Sequence, residues 1–337
     1  MNKNKIIVIA EAGGNHNGSI KNAFKLIDIA KRAGADYVKF QSFTADSLVS
    51  KNAPKARYQQ KNVKKISHYE MIDNLSMSFE MHRRLFNYCN SKKIKFLSSV
   101  FSIKSLNTLK KFKIDYFKIP SGEITNLPLL IEVAKTKKPI ILSTGMCNLN
   151  EVSKAVKILL QNGLNKKNLS ILHCNTEYPS PYKDLNLKAI KVFNKRFKFA
   201  TIGYSDHSEG IEASIAAVGM GAKIIEKHFT ISKSLPGPDH KSSLNEKELK
   251  LLINSIRNVE KSLGVEKKIV SKSEKKNIMI ARKSIYASNN IQKGEKFSRE
   301  NLACLRPFKG ISPMKFNKLL KLRSNKNYKS GDLIKIK

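Results

Sequence analysis

Short apolar runs recur along the first 265 positions, and between them apolar residues return at the three-to-four spacing of amphipathic helices. The runs predict strands at 6–10, 36–41, 95–99, 115–119, 139–143, 169–174, 199–204 and 222–228. Helices are predicted near 19–33, 78–92, 103–112, 127–136, 148–162, 185–194, 209–219 and 244–263, several opened by a Ser or Asn suited to capping. Eight strand–helix units in strict alternation favour a closed parallel (β/α)8 barrel of the TIM type over an open doubly wound sheet. No GxGxxG follows the first strand, which also argues against a dinucleotide fold.

Two segments break the rhythm. Residues 44–77 form a long polar insert after the second strand, of the kind that covers a site or is partly disordered. Residues 229–243, TISKSLPGPDHKSSL, carry two prolines around a glycine and predict a stiff loop at the barrel mouth. The division expected is a barrel over 1–265, a lysine-rich linker over 266–280 and a small β-rich domain over 281–337.

Hydrophobic residues at 41% and charged residues at 27% are ordinary for a soluble globular chain of this length, 337 residues. No run approaches the ~18 to 20 apolar residues of a membrane span, so no membrane association is expected. The start, MNKNKIIVIAEAG, has too short an apolar stretch before Glu11 for a cleavable signal. Four scattered cysteines without a CxxC pair argue against a disulfide framework or zinc knuckle and predict a reducing, cytoplasmic setting. The net charge of +38 raises the question of nucleic acid. Only ten of the 64 basic residues are Arg, and the 54 Lys are spread along the whole chain, so the charge reads as solvated faces. No nucleic-acid partner is expected.

In a parallel barrel the reactive groups gather at the carboxyl ends of the strands. Lys39 and Lys118 sit inside apolar strands, YVKFQ and YFKIP, where an unpaired ammonium is costly, so both call for a buried anion. Ser99, Ser121, Ser143 and Thr144 at neighbouring strand ends have the donors a phosphate needs. His207 and His228 lie at the ends of adjacent strands and are placed to converge on one divalent cation, with Glu11 or water completing an open shell; a pair of core histidines is the competing reading. His16, His68, His82 and His240 read as loop or surface residues, with His240 the first exception because it follows Pro-Gly-Pro-Asp.

AEAGGNHNG (10–18), YVKFQSF (37–43), FKIPSGEITNLP (117–128), ILSTGM (141–146), LHCNTEYPSPYKDLNL (172–187), GYSDHSEG (203–210) through IIEKHFT (224–230), PGPDHKSSL (236–244) and RPFKGISPM (306–314) run in one order over nearly the whole chain. Together they resemble the sialic acid synthase family. The resemblance implies a (β/α)8 barrel joined to a small antifreeze-like (SAF, β-clip) domain, which closes over the partner's site in a domain-swapped homodimer. It implies condensation of phosphoenolpyruvate with an N-acylated mannosamine-type sugar to a nine-carbon 2-keto acid and phosphate, with Mn²⁺ or Mg²⁺. Lys39, Ser99, Lys118, Ser121 and Ser143 then resemble the phosphoenolpyruvate clamp, with Thr176 a further contact, and His207 and His228 the metal ligands. Glu11, Gln41, Glu123, Tyr178 and Asp239 face the sugar or metal-bound water, and Arg306 reaches the acyl amide across the dimer. Glu11 and Glu123 are both candidates for proton transfer.

Val100 departs from the family pattern after the strand-3 hydroxyls, and RPFKG places Phe308 and Lys309 where glycine-rich sequence is usual. HCNTEYP and GEITNLP resemble the branch using N-acetylmannosamine or its 2,4-diacetamido-2,4,6-trideoxy analogue, the latter giving legionaminate, more than the pseudaminate branch. The competing classes are an inert carbohydrate-binding module and charge-driven nucleic-acid binding; phosphate release and salt dependence separate them from a synthase.

Overall fold

The computed structural model describes residues 5–63 and 65–336. It divides into two compact units, Met1–Gly264 and Val265–Lys337.

In the first unit, β1 (Ile7–Gly13), β2 (Tyr37–Ser42), β3 (Lys95–Val100), β4 (Phe117–Ile119), β5 (Ile140–Ser143), β6 (Leu169–Cys174), β7 (Thr201–Asp206) and β8 (Ile224–His228) form a closed parallel barrel in sequence order. Closure is made by β8 against β1, in register from Ile7↔Ile224 to Glu11↔His228. The helices α1 (Ile20–Ala33), α2 (Ala45–Leu48), α3 (Arg57–Asn62), α4 (His68–Leu75), α5 (Phe79–Ser91) and α6 (Ile103–Leu109) fall in the first half. They are followed by α7 (Leu127–Lys135), α8 (Leu149–Gln161), α9 (Ala189–Arg196), α10 (Glu212–Gly219) and α11 (Glu246–Ser262).

Local chemistry accounts for the helix ends. Ser19 accepts from Asn22 N at the start of α1, and Gly34 closes that helix at φ 88°, a left-handed conformation that disfavours a Cβ. Asn245 and Glu248 form a reciprocal capping box on α11. Strand alternation then sorts the side chains. Val8, Ala10, Val38, Phe40, Phe117 and Leu142 face the helices in one large core. Ile9, Tyr37, Leu97, Ile141, Leu172 and Ile224 fill the lumen. Gly203 belongs to that inner layer, where a Cβ would meet Ile224 O at 2.5 Å and Leu172 at 2.4 Å.

Several boundaries differ from the sequence expectation. β4 begins at Phe117 because Asp115 turns its carboxylate to Tyr37 and Lys95. α10 begins at Glu212, since Asp206 caps Ser208 N and Gly210 takes φ 67°. The insert contains α2, α3 and α4; α2 and α4 share a small apolar core of Ala45, Met71, Ile72 and Leu75 with Phe43, and α3 buries no residue in it. Three of the four histidines read as loop or surface are buried. His16 accepts from Gly18 N and His240 bonds Thr230 Oγ1, because the loops at the mouth fold back onto the barrel, while His82 lies on the buried face of α5 and bonds Ser42 Oγ at the end of β2. No helix among the described residues is long and apolar enough to cross a membrane.

In the second unit, the segment read as a linker contains α12 (Lys272–Ala281). Its antiparallel pair is β9 (Ser284–Ala287) and β10 (Leu302–Leu305), over a core that includes Ile285, Phe297, Leu302, Tyr328 and Ile334. The RPFKG loop is held by Ser284 Oγ, which accepts from Lys309 N and Gly310 N, and leaves Arg306 exposed.

Candidate active site

The lumen layer and the site share one parity. Two residues beyond Ile9, Tyr37, Leu97, Ile141, Leu172 and Ile224 stand Glu11, Lys39, Ser99, Ser143, Cys174 and Glu226. Lys118 follows Tyr116, and Ser205 follows Gly203, by the same step. Because side chains on a strand alternate with period two, an apolar plug is capped by a polar layer at the carboxyl ends. These eight residues line a cavity of about 320 Å³.

Register sets the neighbours. Glu11 lies opposite Lys39 on one side and His228 on the other, Ser99 opposite Lys118, and Ser205 opposite Glu226. Lys39 Nζ is 3.0 Å from Glu11 Oε2 and 3.5 Å from Glu226 Oε2, and donates to Ser99 Oγ at 3.0 Å. Lys118 donates to Glu226 Oε1 at 3.1 Å, which also accepts from Ser205 at 2.8 Å. The Lys118–Glu226 pair spans the lumen between opposite strands, a reach that an eight-stranded barrel allows. Gln41 donates to Glu11 Oε1 at 3.0 Å.

All four charged groups are buried, so small environmental differences separate them strongly. Burial pushes the Glu11 carboxyl up to about 7, against the pull of Lys39. Burial also acts on Glu226, but Lys118 and Lys39 overcome it and hold that carboxyl well below its ordinary range. Burial opposes the Lys39 ammonium, yet Glu11 and Glu226 carry its pKa above the usual lysine value. At Lys118 burial prevails and the pKa falls. With Glu11 protonated the cluster carries one net positive charge, the sum of two ammonium groups and one carboxylate.

His207 donates from Nδ1 to Asn175 O, and its Nε2 is 3.0 Å from Tyr178 OH. That carbonyl fixes the tautomer with the Nε2 lone pair aimed at the cavity, the arrangement seen behind metal-binding imidazoles. His228 has its ring centroid 5.4 Å from that of His207, and its buried Nδ1 has no hydrogen-bond partner among the described residues. Burial, with His207 and Lys39 nearby, holds His228 neutral, its pKa well below the usual histidine value. Burial opposes a charged His207, but Cys174 beside it and the Asn175 carbonyl raise its pKa above the usual histidine value, so a divalent cation held by the two imidazoles would displace a proton from His207 while finding His228 already neutral. No group of three or more His, Cys, Asp or Glu among the described residues has metal-site geometry, so such an ion would draw its other ligands from reactant or water. Asp239 also lines the cavity, its Oδ1 without a hydrogen-bond partner among the described residues and its carboxyl raised to about 6 by burial against the effect of His207.

Above this floor, Tyr178 stacks on His207 at 4.1 Å between centroids, and Tyr58 of α3 stacks on Tyr178 at 5.0 Å. Gly145 N donates to Ser121 Oγ at 2.9 Å, and a Cβ on Gly145 would meet Thr176 at 2.5 Å, so this corner closes only around glycine.

Of the residues singled out in the sequence, Glu11, Lys39, Gln41, Ser99, Lys118, Ser121, Ser143, Thr176, Tyr178, His207, His228 and Asp239 line the one cavity. Glu123 is not among its lining residues: it accepts from Asn126 Nδ2 at 2.7 Å at the start of α7. Arg306 belongs to the second unit. Glu226, Ser205 and Cys174 were not candidates, although each stands an even number of residues from one that was or from a lumen residue, and parity identifies them. His173, at the end of the sixth predicted strand, has the opposite parity and donates from Nε2 to Leu185 O at 2.7 Å instead. His68, read as a loop or surface residue, lines the cavity, because α4 turns it inward.

The NeuB family model matches residues 26–268 and the SAF domain model residues 282–336. The chain belongs to the NeuB family. It is 48% identical over 332 residues to N,N'-diacetyllegionaminic acid synthase of Campylobacter jejuni, covering 98% of this chain and 99% of that protein. It is 44% identical over 328 residues to the protein of the same name from Legionella pneumophila, covering 96% and 92%. Among solved structures, N-acetylneuraminic acid (sialic acid) synthetase from Leptospira borgpetersenii superposes with a TM-score of 0.72 at 32% identity, covering 82% of this chain and 90% of that one.

Proposed function

We propose that this chain joins phosphoenolpyruvate, an N-acylated mannosamine-type sugar and water into a nine-carbon 2-keto sugar acid, releasing phosphate. The single observation that carries the reading is the buried Lys39–Glu226–Lys118 network with Ser99 beside it, a buried cationic floor matched to a small, highly charged enol ester. Lys39, Lys118 and Ser99 take the phosphate and carboxylate, with Ser143 offering a hydroxyl that has no hydrogen-bond partner among the described residues and Ser121 and Thr176 closing the corner.

Glu11, poised near neutrality between Lys39 and His228, is the proton-transfer group of the pair considered: it lines the cavity, and Glu123 does not. As carboxylate it accepts a proton from the water that adds at carbon 2; as acid it returns one. His207 and His228 would hold a divalent cation, Mn²⁺ or Mg²⁺, which supplies Lewis acidity at the sugar's carbonyl oxygen. Tyr178, with Gln41 and Asp239, orients the sugar over the enol carbon. The likeness to two N,N'-diacetyllegionaminic acid synthases supports 2,4-diacetamido-2,4,6-trideoxymannose as the sugar ahead of N-acetylmannosamine.

The same reading includes a domain-swapped homodimer in which Arg306 meets the partner's sugar, and a cytoplasmic setting. The test is purified protein with phosphoenolpyruvate, Mn²⁺ and each sugar. One phosphate per nonulosonate, released only when both reactants are present, is expected; no release with any sugar overturns the proposal.

A further inference from the structure

The barrel supplies only the floor of the cavity; the insert supplies a wall of opposite character. Met71, Ile72 and Leu75 line the cavity from α4, and Leu48 and Val49 line it beside them. His68 lines it too, with a buried Nδ1 that has no hydrogen-bond partner among the described residues. Positions 68, 71, 72 and 75 are one face of a helix, spaced i, i+3, i+4 and i+7, so α4 presents three apolar side chains on a single stripe with the imidazole of His68, which lies beside the Pro54 carbonyl and whose buried Nδ1 lacks a hydrogen-bond partner among the described residues.

The floor's charge is matched to the anionic reactant, which leaves the wall for the sugar. A fully hydroxylated hexose would set hydroxyls against hydrocarbon, at roughly 1–3 kcal/mol for each left unpaired. A sugar bearing methyl groups gains instead, by about 0.8 kcal/mol per buried CH₂-sized group. An acylamido group offers both a methyl for the stripe and a polar amide for an isolated nitrogen.

We infer that the α4 stripe of His68, Met71, Ile72 and Leu75 selects the sugar, His68 hydrogen-bonding a second acylamido group while the three apolar residues receive its methyl and a deoxygenated terminal carbon. This deepens the synthase reading above and rests on it. The stripe is a specificity element and not part of the reacting layer, since none of its residues touches the Lys39–Glu226–Lys118 network.

The experiment measures kcat/KM for 2,4-diacetamido-2,4,6-trideoxymannose and for N-acetylmannosamine at saturating phosphoenolpyruvate and Mn²⁺. The unmodified protein prefers the first by about tenfold or more, the scale of a few apolar contacts plus one hydrogen bond. His68→Ala and Ile72→Thr each reduce that ratio several-fold through the sugar's KM, with the KM for phosphoenolpyruvate unchanged, which also certifies the fold. His68→Asn, which keeps a hydrogen-bonding group, restores part of the ratio, and Met71→Leu, which keeps volume and polarity, leaves it unaltered. A ratio at or below one, or a ratio that neither His68→Ala nor Ile72→Thr changes, overturns the inference while phosphate release leaves the synthase reading standing. No phosphate with either sugar overturns both.

Discussion

The floor of the cavity rests on eight strands, each hydrogen-bonded to two neighbours, and its charged side chains hold one another in place across the lumen. The wall comes from helices of four, six and eight residues; the first and last pack on a small apolar core of their own, and the middle one stacks Tyr58 on Tyr178. Helices that short are not stable alone, so their positions depend on that small core and on contacts with the floor. The floor is therefore preorganised for charge, where reorganisation is expensive, and the wall is adjustable in shape, where substitutions cost little. On the proposed reading, chemistry falls to the strand ends and selectivity to the insert, two separate pieces of chain.

The sharpest way to break this separation is Glu226→Gln. It keeps the shape and removes the carboxylate that both ammonium groups share, and breaking such a buried pair costs about 3–5 kcal/mol. Expected are a lower urea midpoint and a fall in kcat/KM of about a hundredfold or more for every sugar alike. A change confined to one sugar would show that the floor also selects.

Acid probes the packing that joins the mouth loops to the floor. Burial holds His16, and likewise His240, at about 4, below the ordinary 6.5. Each folded pKa is depressed, so the unfolded chain binds more protons between these values, and stability present above pH 6.5 is lost as pH falls toward 4. His16→Asn keeps an acceptor for Gly18 N, and its urea midpoint should fall less steeply over that window, by an amount on the order of 2 kcal/mol in stability. An identical pH slope in the variant would contradict the buried, neutral assignment.

The smallest effect is expected where wall and floor touch. Tyr58→Ala removes the outer ring of the Tyr58–Tyr178–His207 stack, worth about 1 kcal/mol, and should raise the sugar's KM about fivefold with little change in kcat. Tyr58→Phe keeps the ring and should behave as the unmodified protein. A loss in kcat alone would mean that Tyr58 acts through His207 on the reaction and not on binding.

Much of the barrel was legible because strand and helix periodicities are local, and all eight strands lie where the apolar runs predict, within a few residues at their ends. Lys39 and Lys118 were legible for the same reason: a cation inside an apolar run is anomalous without reference to any neighbour. The four histidines were not. His16 and His240 sit in polar sequence, and their burial depends on which loops fold over the mouth; His82 is buried by the face α5 turns to the barrel. Glu226 was in view at the end of its strand but looked no different from Lys227, which faces outward to Asp206 at 2.9 Å. Only the parity of β8 against a closed lumen separates the two.

From its letters alone, then, the chain determined an eightfold strand–helix alternation, two lysines in need of an anion and two imidazoles at adjacent strand ends. Each follows from residues within a few positions of one another. The tertiary structure alone decided that Lys118 meets a carboxylate 108 positions away, and that α4 turns His68 inward beside Met71 and Ile72. Those depend on barrel closure and loop packing, where the free energy comes from surfaces brought together by the whole fold and no single segment carries it.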